Sequence, residues 1–586
     1  MRVPKAVTFN HTPLLELGLP QWRSRLVLLV LLVGMGSLVG RSLYLQGVHN
    51  DFLQAKGESR YARVLEVPAT RGRITDRNGN LLAVSTPVYS IWAIPSDASQ
   101  IAPGQLRQLA QLLEMDAADL GARFAAGRDF VFLKRQVSPE LADKVAALGL
   151  PGIHRQNEFR RFYPSGEVMA HILGFTSVED RGQEGIELTY ERMLAGQAGS
   201  RRVVKDRRGR VVEDVESIRQ PRDGADVALA MDARIQYLAY AALREAVHRH
   251  NAKAGSVVVL DVQTGEVLAL VNAPTFNPNN RAHLTGAQLR NRVFTDTFEP
   301  GSVMKPFIAA MALESGRFQA TTPVDTHSGH LTIGNRTIHD SHPYRSLTVA
   351  EVIQKSSNIG TARMALEFTP EYMRDFYARL GFGSPLQLGF PGEASGTLRP
   401  AQDWRPIEQA TMSYGHGVSV TLIQIARAYL AFARDGELLP LSLTRVETPP
   451  QGARVFSPRV AREVRQMMEM VVNPGGTAAR AKVTGYRVAG KTGTANKIEN
   501  GRYVNRYMSS FVGLAPASNP RLVVAVTIDE PSADQHFGGA VAAPVFAQVL
   551  EGALRALGVA PDAPLAPLQF TALAPAGSAR ASQEGM

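Results

Sequence analysis

Three short strings carry residue types that together could run acyl transfer. In FEPGSVMKP, Ser302 and Lys305 stand three apart, just after Pro300-Gly301, where a loop turns into the helix-like run SVMKPFIAAMALESG. Helical i, i+3 spacing puts hydroxyl and amine on one face. Ser302 then falls at a helix N-terminus, where unpaired N–H groups and the macrodipole favour a developing negative charge by ~0.3–1 kcal/mol. The pair alone is weak evidence, because a serine capping a helix with a solvated lysine one turn on is a common origin of the spacing. Downstream, in order, come Ser356-Ser357-Asn358, at the end of the helical run in LTVAEVIQKSSNIG, and Lys491-Thr492-Gly493-Thr494, at the end of a strand in YRVAGKTGTANK. Each could be an ordinary turn or strand exit. Helix start, loop and strand edge in that sequence make coincidence a poor account, and suit a serine nucleophile with an amine as its base.

A rival chemistry sits in DTHSGHLTIGNRTIHDSHPY, where His327, His330, His339 and His342 form two H-x-x-H pairs that could hold zinc. With neither cysteine support nor a helical i, i+4 frame, these read as surface histidines, and no metal or other cofactor is expected. The chain has no cysteine, which excludes disulfides, thiolate metal sites and a cysteine nucleophile.

The elements that must hold the strings follow from patterning. From about residue 226 a helical run, Asp232–His250, precedes two strands, Ser256–Val262 and Glu266–Val271, joined through Gln263-Thr264-Gly265. Tyr486–Lys491 reads as a strand, followed by Ser510–Leu514 and Arg521–Ile528 around the turn APASNP, then a helix over Ala543–Leu557. A sheet with helices on its faces fits this order. Residues 47–225 instead alternate short β-like runs with Gly/Pro/Arg-rich turns, among them a hairpin dipeptide, Asn78-Gly79. At 586 residues the chain exceeds a single core. The segmentation is therefore 1–25 tail, 26–45 span, 46–225 pedestal, 226–560 catalytic domain, and 561–586 an Ala/Pro/Ser-rich tail that reads as disordered.

The span is LVLLVLLVGMGSLVGRSLYL, Leu26–Leu45, long enough at ~1.5 Å per helical residue to cross the ~30 Å hydrocarbon core. Arg2, Lys5, Arg23 and Arg25 precede it, which puts the N-terminus in the cytoplasm and the rest outside. No small-x-small site follows, so an anchor is expected over a cleaved signal peptide. The net charge of +11 suits an anionic partner, and the compartment excludes nucleic acid. The basic run Arg201-Arg202, Lys205, Arg207-Arg208, Arg210 reads as a solvated strand surface.

The ordered triple resembles that of the penicillin-binding proteins, and the resemblance covers nearly the whole chain after the span. R-G-x-I-x-D-R-x-G at Arg71–Gly79, R-x-Y-P-x-G at Arg161–Gly166 and G-x-x-G-x-E at Gly182–Glu187 are similar to the pedestal motifs of class B members. The hairpin DVQTGEVLALVNAPTFNPNN, SYGHGVSVT (Ser413–Thr421) and FGGAVAAPVF (Phe537–Phe546) are similar to that class too. Glu179-Asp180 lacks the rest of the glycosyltransferase motif of the bifunctional class. The resemblance implies an α+β multidomain protein: one transmembrane helix, an elongated β-rich pedestal, and a serine β-lactamase-like transpeptidase domain with a central antiparallel sheet flanked by helices.

It also implies a peptidoglycan D,D-transpeptidase inhibited by β-lactams. Ser302 would be acylated by a pentapeptide stem, with Lys305 as a base that must be neutral at pH 7, against an ordinary pKa of ~10.4. Lys491 would be the second cation that helps burial lower it. Ser356 would relay a proton, Asn358 would orient Lys305 and the substrate amide, and N–H groups of Ser302 and Thr494 would form the oxyanion hole. Thr492, Gly493 and Thr494 would bind substrate. LAVSTPVYSIWAIP (Leu82–Pro95) and VVKDRRGRVVEDVE (Val203–Glu216) resemble the septal branch. That implies an inner-membrane division enzyme working with a multi-span glycan polymerase and other division proteins; the alternatives are an elongation enzyme or a β-lactam hydrolase or sensor.

Overall fold

A computed structural model of the chain describes residues 21–48, 62–125, 128–205 and 211–564. The expected cytoplasmic charges Arg2 and Lys5, the run Arg207-Arg208-Arg210 and nearly all of the 561–586 tail lie outside the described residues.

One compact unit comprises residues 1–69 and 197–222. Its apolar residues form the helix Gln21–Leu43, none of it buried, and the stretch Gln21–Gln46 is long and apolar enough to cross a membrane. Its described strands form an antiparallel ribbon in which Gly199–Lys205 lies between Ala62–Val67 and Val211–Arg219.

The second unit spans 70–196 and 223–586. In its first part, Asn78-Gly79 makes the expected hairpin: Gly79 takes φ +85°, and the Asp76 carboxylate accepts from the N–H groups of Asn78 and Asn80, both at 2.8 Å. The hairpin leads into a long strand, Leu81–Ala93, paired with Val131–Val137 and Ile153–Phe162. Three helices absent from the sequence reading, Pro103–Leu113, Ala117–Ala125 and Pro139–Ala147, supply a small core around Leu109, Leu113, Leu120, Ala142 and Val145. The three motif strings converge here on one carboxylate. Glu187 accepts from Arg71 Nε at 2.6 Å and Arg161 Nε at 2.7 Å, with all three side chains at most 1% exposed. The spare guanidinium hydrogens go to the carbonyls of Asp180, Glu187 and Gly72. These are buried charges that are paired and hydrogen-bonded, the condition under which burial is tolerated.

In the second part α1 (Ala233–Arg249) is capped by the Asp232 carboxylate, which accepts from Arg234 N. Strands β1 (Ala254–Asp261) and β2 (Val267–Ala273) follow. Then come α2 (Lys305–Glu314), α3 (Val349–Lys355), α4 (Asn358–Leu366), α5 (Leu422–Ala433) and α6 (Pro458–Val472). Strands β3 (Ala489–Glu499), β4 (Arg502–Ala515) and β5 (Leu522–Asp529) and the helix α7 (Gly538–Ala556) complete it. The sheet is antiparallel throughout, in the order β2-β1-β5-β4-β3. Every residue of β1 and β5 is buried, so both faces are covered: α1 and α7 pack on each other and on the sheet, as do α5 and α6. Two boundaries differ from expectation. Strand β3 does not end at Lys491 but begins at Ala489 and runs through the Lys-Thr-Gly-Thr string, and α7 starts at Gly538 and accommodates Pro544.

Candidate active site

The strand β3 is the edge of the central sheet, and its free side faces the turn that carries Ser302. Pro306 sits in the first turn of α2, where its missing N–H costs nothing. The helix therefore starts at Lys305, and Ser302 lies just before it on a 3₁₀ turn, Gly301–Met304, rather than inside it. Two glycines let neighbouring backbone close on this turn. A Cβ at Gly493 would stand 2.9 Å from the Pro300 carbonyl and 2.3 Å from Ser510 Oγ, and one at Gly415 would stand 2.3 Å from the Gly301 carbonyl. Gly301 N in turn donates to the Gly415 carbonyl at 3.3 Å.

Helix α3 ends in Ser356, held at φ +59°, and Ser357 caps α4 by accepting from Gly360 N. The Ser-Ser-Asn string is thus the hinge between two helices, and its left-handed residue turns a carbonyl and a hydroxyl toward α2. Lys305 Nζ, wholly buried, donates to the Ser356 carbonyl at 2.5 Å and to Asn358 Oδ1 at 2.8 Å, with Ser356 Oγ at 3.2 Å. From β3 the equally buried Lys491 Nζ reaches the same Ser356 Oγ at 2.9 Å. Thr492 Oγ1 pairs with Thr477 Oγ1 at 3.0 Å, and Thr494 Oγ1 accepts from Gly538 N at 3.0 Å, which leaves the Thr494 hydroxyl hydrogen free for another acceptor. The three strings therefore meet: Ser302 is one turn before Lys305, and Ser356 joins Lys305 to Lys491.

Burial takes the Lys305 amine down to about 7. Burial is the larger cause and Asp340 opposes it, while burial and the mutual repulsion of the two lysines push Lys491 well below the usual ammonium range.

Asp340 is the residue that sequence reasoning passed over. It sits in the histidine-rich string, at the end of the hairpin in which His330–Ile333 pairs with Arg336–His339. Its carboxylate accepts from Asn358 N at 2.6 Å, Ile359 N at 3.1 Å and Ser357 Oγ at 2.5 Å. The carbonyl of His339 accepts from Asn358 Nδ2 at 3.0 Å. The hairpin thus fixes both ends of Asn358, and no spacing rule would have singled it out. Among the described residues no three His, Asp or Glu side chains gather as a metal site. Two more side chains border the turn unforeseen. His416 is held neutral, down to about 4, by burial and the Lys305 charge, and Glu299 accepts from Gly417 N at 2.7 Å and the Tyr503 hydroxyl at 3.1 Å.

Residues 255–551 match the family model for the penicillin binding protein transpeptidase domain, and residues 66–229 that for the penicillin-binding protein dimerisation domain. The chain is 45% identical over 548 residues to a probable peptidoglycan D,D-transpeptidase, PenA, of Neisseria gonorrhoeae, covering 93% of this chain and 94% of that one. It is 44% identical over 550 residues to the peptidoglycan D,D-transpeptidase FtsI of Escherichia coli K12, covering 92% and 93%. Among solved structures, the transpeptidase domain of penicillin-binding protein 3 from Burkholderia pseudomallei superposes with TM-score 0.54 at 50% identity, covering 57% of this chain and 98% of that one.

Proposed function

Because this chain belongs to the class B penicillin-binding proteins, with a dimerisation and a transpeptidase domain, we propose that Ser302 is the residue acylated in a peptidoglycan D,D-transpeptidase reaction. One observation carries the reading: a fully buried amine, Lys305, brought near neutrality one turn from Ser302 and joined to Lys491 through one hydroxyl. Neutral Lys305 takes the Ser302 hydroxyl proton as Oγ bonds to the carbonyl carbon of the penultimate D-alanine. N–H groups of Ser302 and Thr494 hold the oxyanion, each donor worth about 10²–10³ in rate. The C–N bond to the terminal D-alanine breaks, and its nitrogen receives a proton through Ser356. An amine from a neighbouring stem then attacks the ester and returns the hydroxyl to Ser302, which leaves a cross-link. Asn358 orients Lys305 and the substrate amide, Thr492 and Gly493 line the strand that pairs with the stem, and the Thr494 hydroxyl donates to its terminal carboxylate.

The division of the chain into a pedestal, 46–225, and a catalytic domain, 226–560, belongs to the same proposal. So does the placement in the inner membrane with the N-terminus inside, supported by Arg23 and Arg25 ahead of the apolar helix. Identity with FtsI over almost all of both chains supports septal work alongside a multi-span glycan polymerase. Labelled penicillin tests the core of this: a long-lived adduct on Ser302, lost in Ser302→Ala at unchanged fold, is expected. An adduct on another residue would overturn the assignment, and rapid turnover would mean a hydrolase. Depletion should leave filaments of undivided cells, and round swollen cells would move the protein to elongation.

A further inference from the structure

About 25 residues before the nucleophile the loop Asn277–Ala282 folds against the strand Ile153–Phe162, and between them lies a polar cavity of about 310 Å³. It is built on a rigid floor. The Asn279 side chain reads the backbone of Tyr163 from both sides, accepting from Tyr163 N at 3.0 Å and donating to Tyr163 O at 2.9 Å. Three arginines line the cavity; Arg161 is matched by Glu187, which leaves Arg160 and Arg281 to face it with open guanidiniums. Arg281 lies over the Phe175 ring at 4.2 Å and donates one N–H to the Thr176 carbonyl at 3.0 Å; Arg160 makes only a long contact, 3.4 Å, to the Asn279 carbonyl. Among the described residues neither forms an ion pair, in contrast to their neighbours: Arg161 is matched by Glu187, and Arg135 by Glu158 and Glu179. Arg281 is half-buried and burial lowers its pKa with no carboxylate to offset it. A desolvated guanidinium without a counter-ion is a standing cost, and an anion that forks onto it recovers that cost.

From this cavity we infer a binding site for a single carboxylate, held between the guanidiniums of Arg160 and Arg281, with the side-chain amides of Gln136 and Asn280 at its rim. Charge selects the class: the lining holds no carboxylate, and with Arg161 matched by Glu187 the unpaired Arg160 and Arg281 leave it positive, which suits an anion that can fork onto a guanidinium as a carboxylate does. The amides add donors and acceptors of the kind a peptide-borne carboxylate can use. The site uses none of the residues of the three catalytic strings.

The test uses the full chain in detergent micelles, titrated calorimetrically with N-acetylglutamate α-amide and with inorganic phosphate at constant ionic strength. Saturable binding of the carboxylate is expected, weakened at least tenfold in Arg160→Gln and in Arg281→Gln, with penicillin acylation of the unliganded protein unchanged in both. Arg160 is exposed, so its variant keeps the test decisive should Arg281→Gln fail to fold. Phosphate binding tenfold tighter than the carboxylate would overturn the carboxylate assignment. Absence of saturation, or binding indifferent to Arg160→Gln, would overturn the site itself.

Discussion

A lysine can serve as a base only in its neutral form, and burial brings that form of Lys305 within reach by lowering the amine to about 7. Acylation by a β-lactam should therefore rise with pH along a limb whose midpoint is about 7, measured by rapid-mixing kinetics between pH 5 and 9. A profile flat over that range would remove Lys305 from the role. The same displacement has a stability consequence. The folded value lies below the unfolded ~10.4, so the folded state binds fewer protons in the interval. The penalty of burying this lysine is full below pH 7 and relieved as pH rises toward about 10. Asp340 supplies the control. Its charge raises the proton affinity of Lys305, so Asp340→Asn, which keeps an oxygen acceptor for Asn358 N and Ile359 N, should move the acylation midpoint below that of the parent while slowing the reaction. A midpoint that rises instead would contradict the electrostatic reading.

At the scale of elements, the turn carrying Ser302 is wedged between strand β3 and a loop, each approaching it through a glycine. Gly415 sits at φ +84° with its missing side chain aimed at Gly301. Gly415→Ala meets both strain in the left-handed region and a backbone collision, together costing about 2–4 kcal/mol. A lowered unfolding midpoint and an acylation rate reduced by an order of magnitude or more are expected, by calorimetry and by labelling. These elements show how far sequence reading carries. Helix α1 and the β1–β2 hairpin were legible because periodicity and turn chemistry are local signals, and the three motif strings because each is short and contiguous. The starts of β3 and α7 were not, because Gly490, Gly493, Gly538 and Pro544 argue against regular structure by propensity, and it is the close packing of strand, turn and helix that holds them in it. Asp340 escaped for a related reason: its partners are 17 to 19 residues away, and only the folded hairpin brings them together.

Across the whole molecule, the pieces that matter most to stability are far apart in sequence. Glu187 holds Arg71 and Arg161 from separate strings, and all three are shut away from water. Glu187→Ala leaves the buried Arg161 without an anion and Arg71 with Glu191 alone, and should cost about 3–5 kcal/mol. The expected result is a clear fall in the thermal midpoint and loss of labelling capacity at a temperature where the parent is still active; a midpoint within a degree of the parent would show the cluster to be dispensable.

The central sheet has a consequence for how the protein is made. Strand β1, finished at Asp261, pairs with β5, which begins only at Leu522. A chain emerging at about 5–20 residues per second must therefore carry one unpaired edge of this largely apolar strand for roughly ten seconds to a minute before its partner exists. During that interval the nascent chain offers an open template for the wrong strand, so whatever covers that edge protects the yield of folded enzyme.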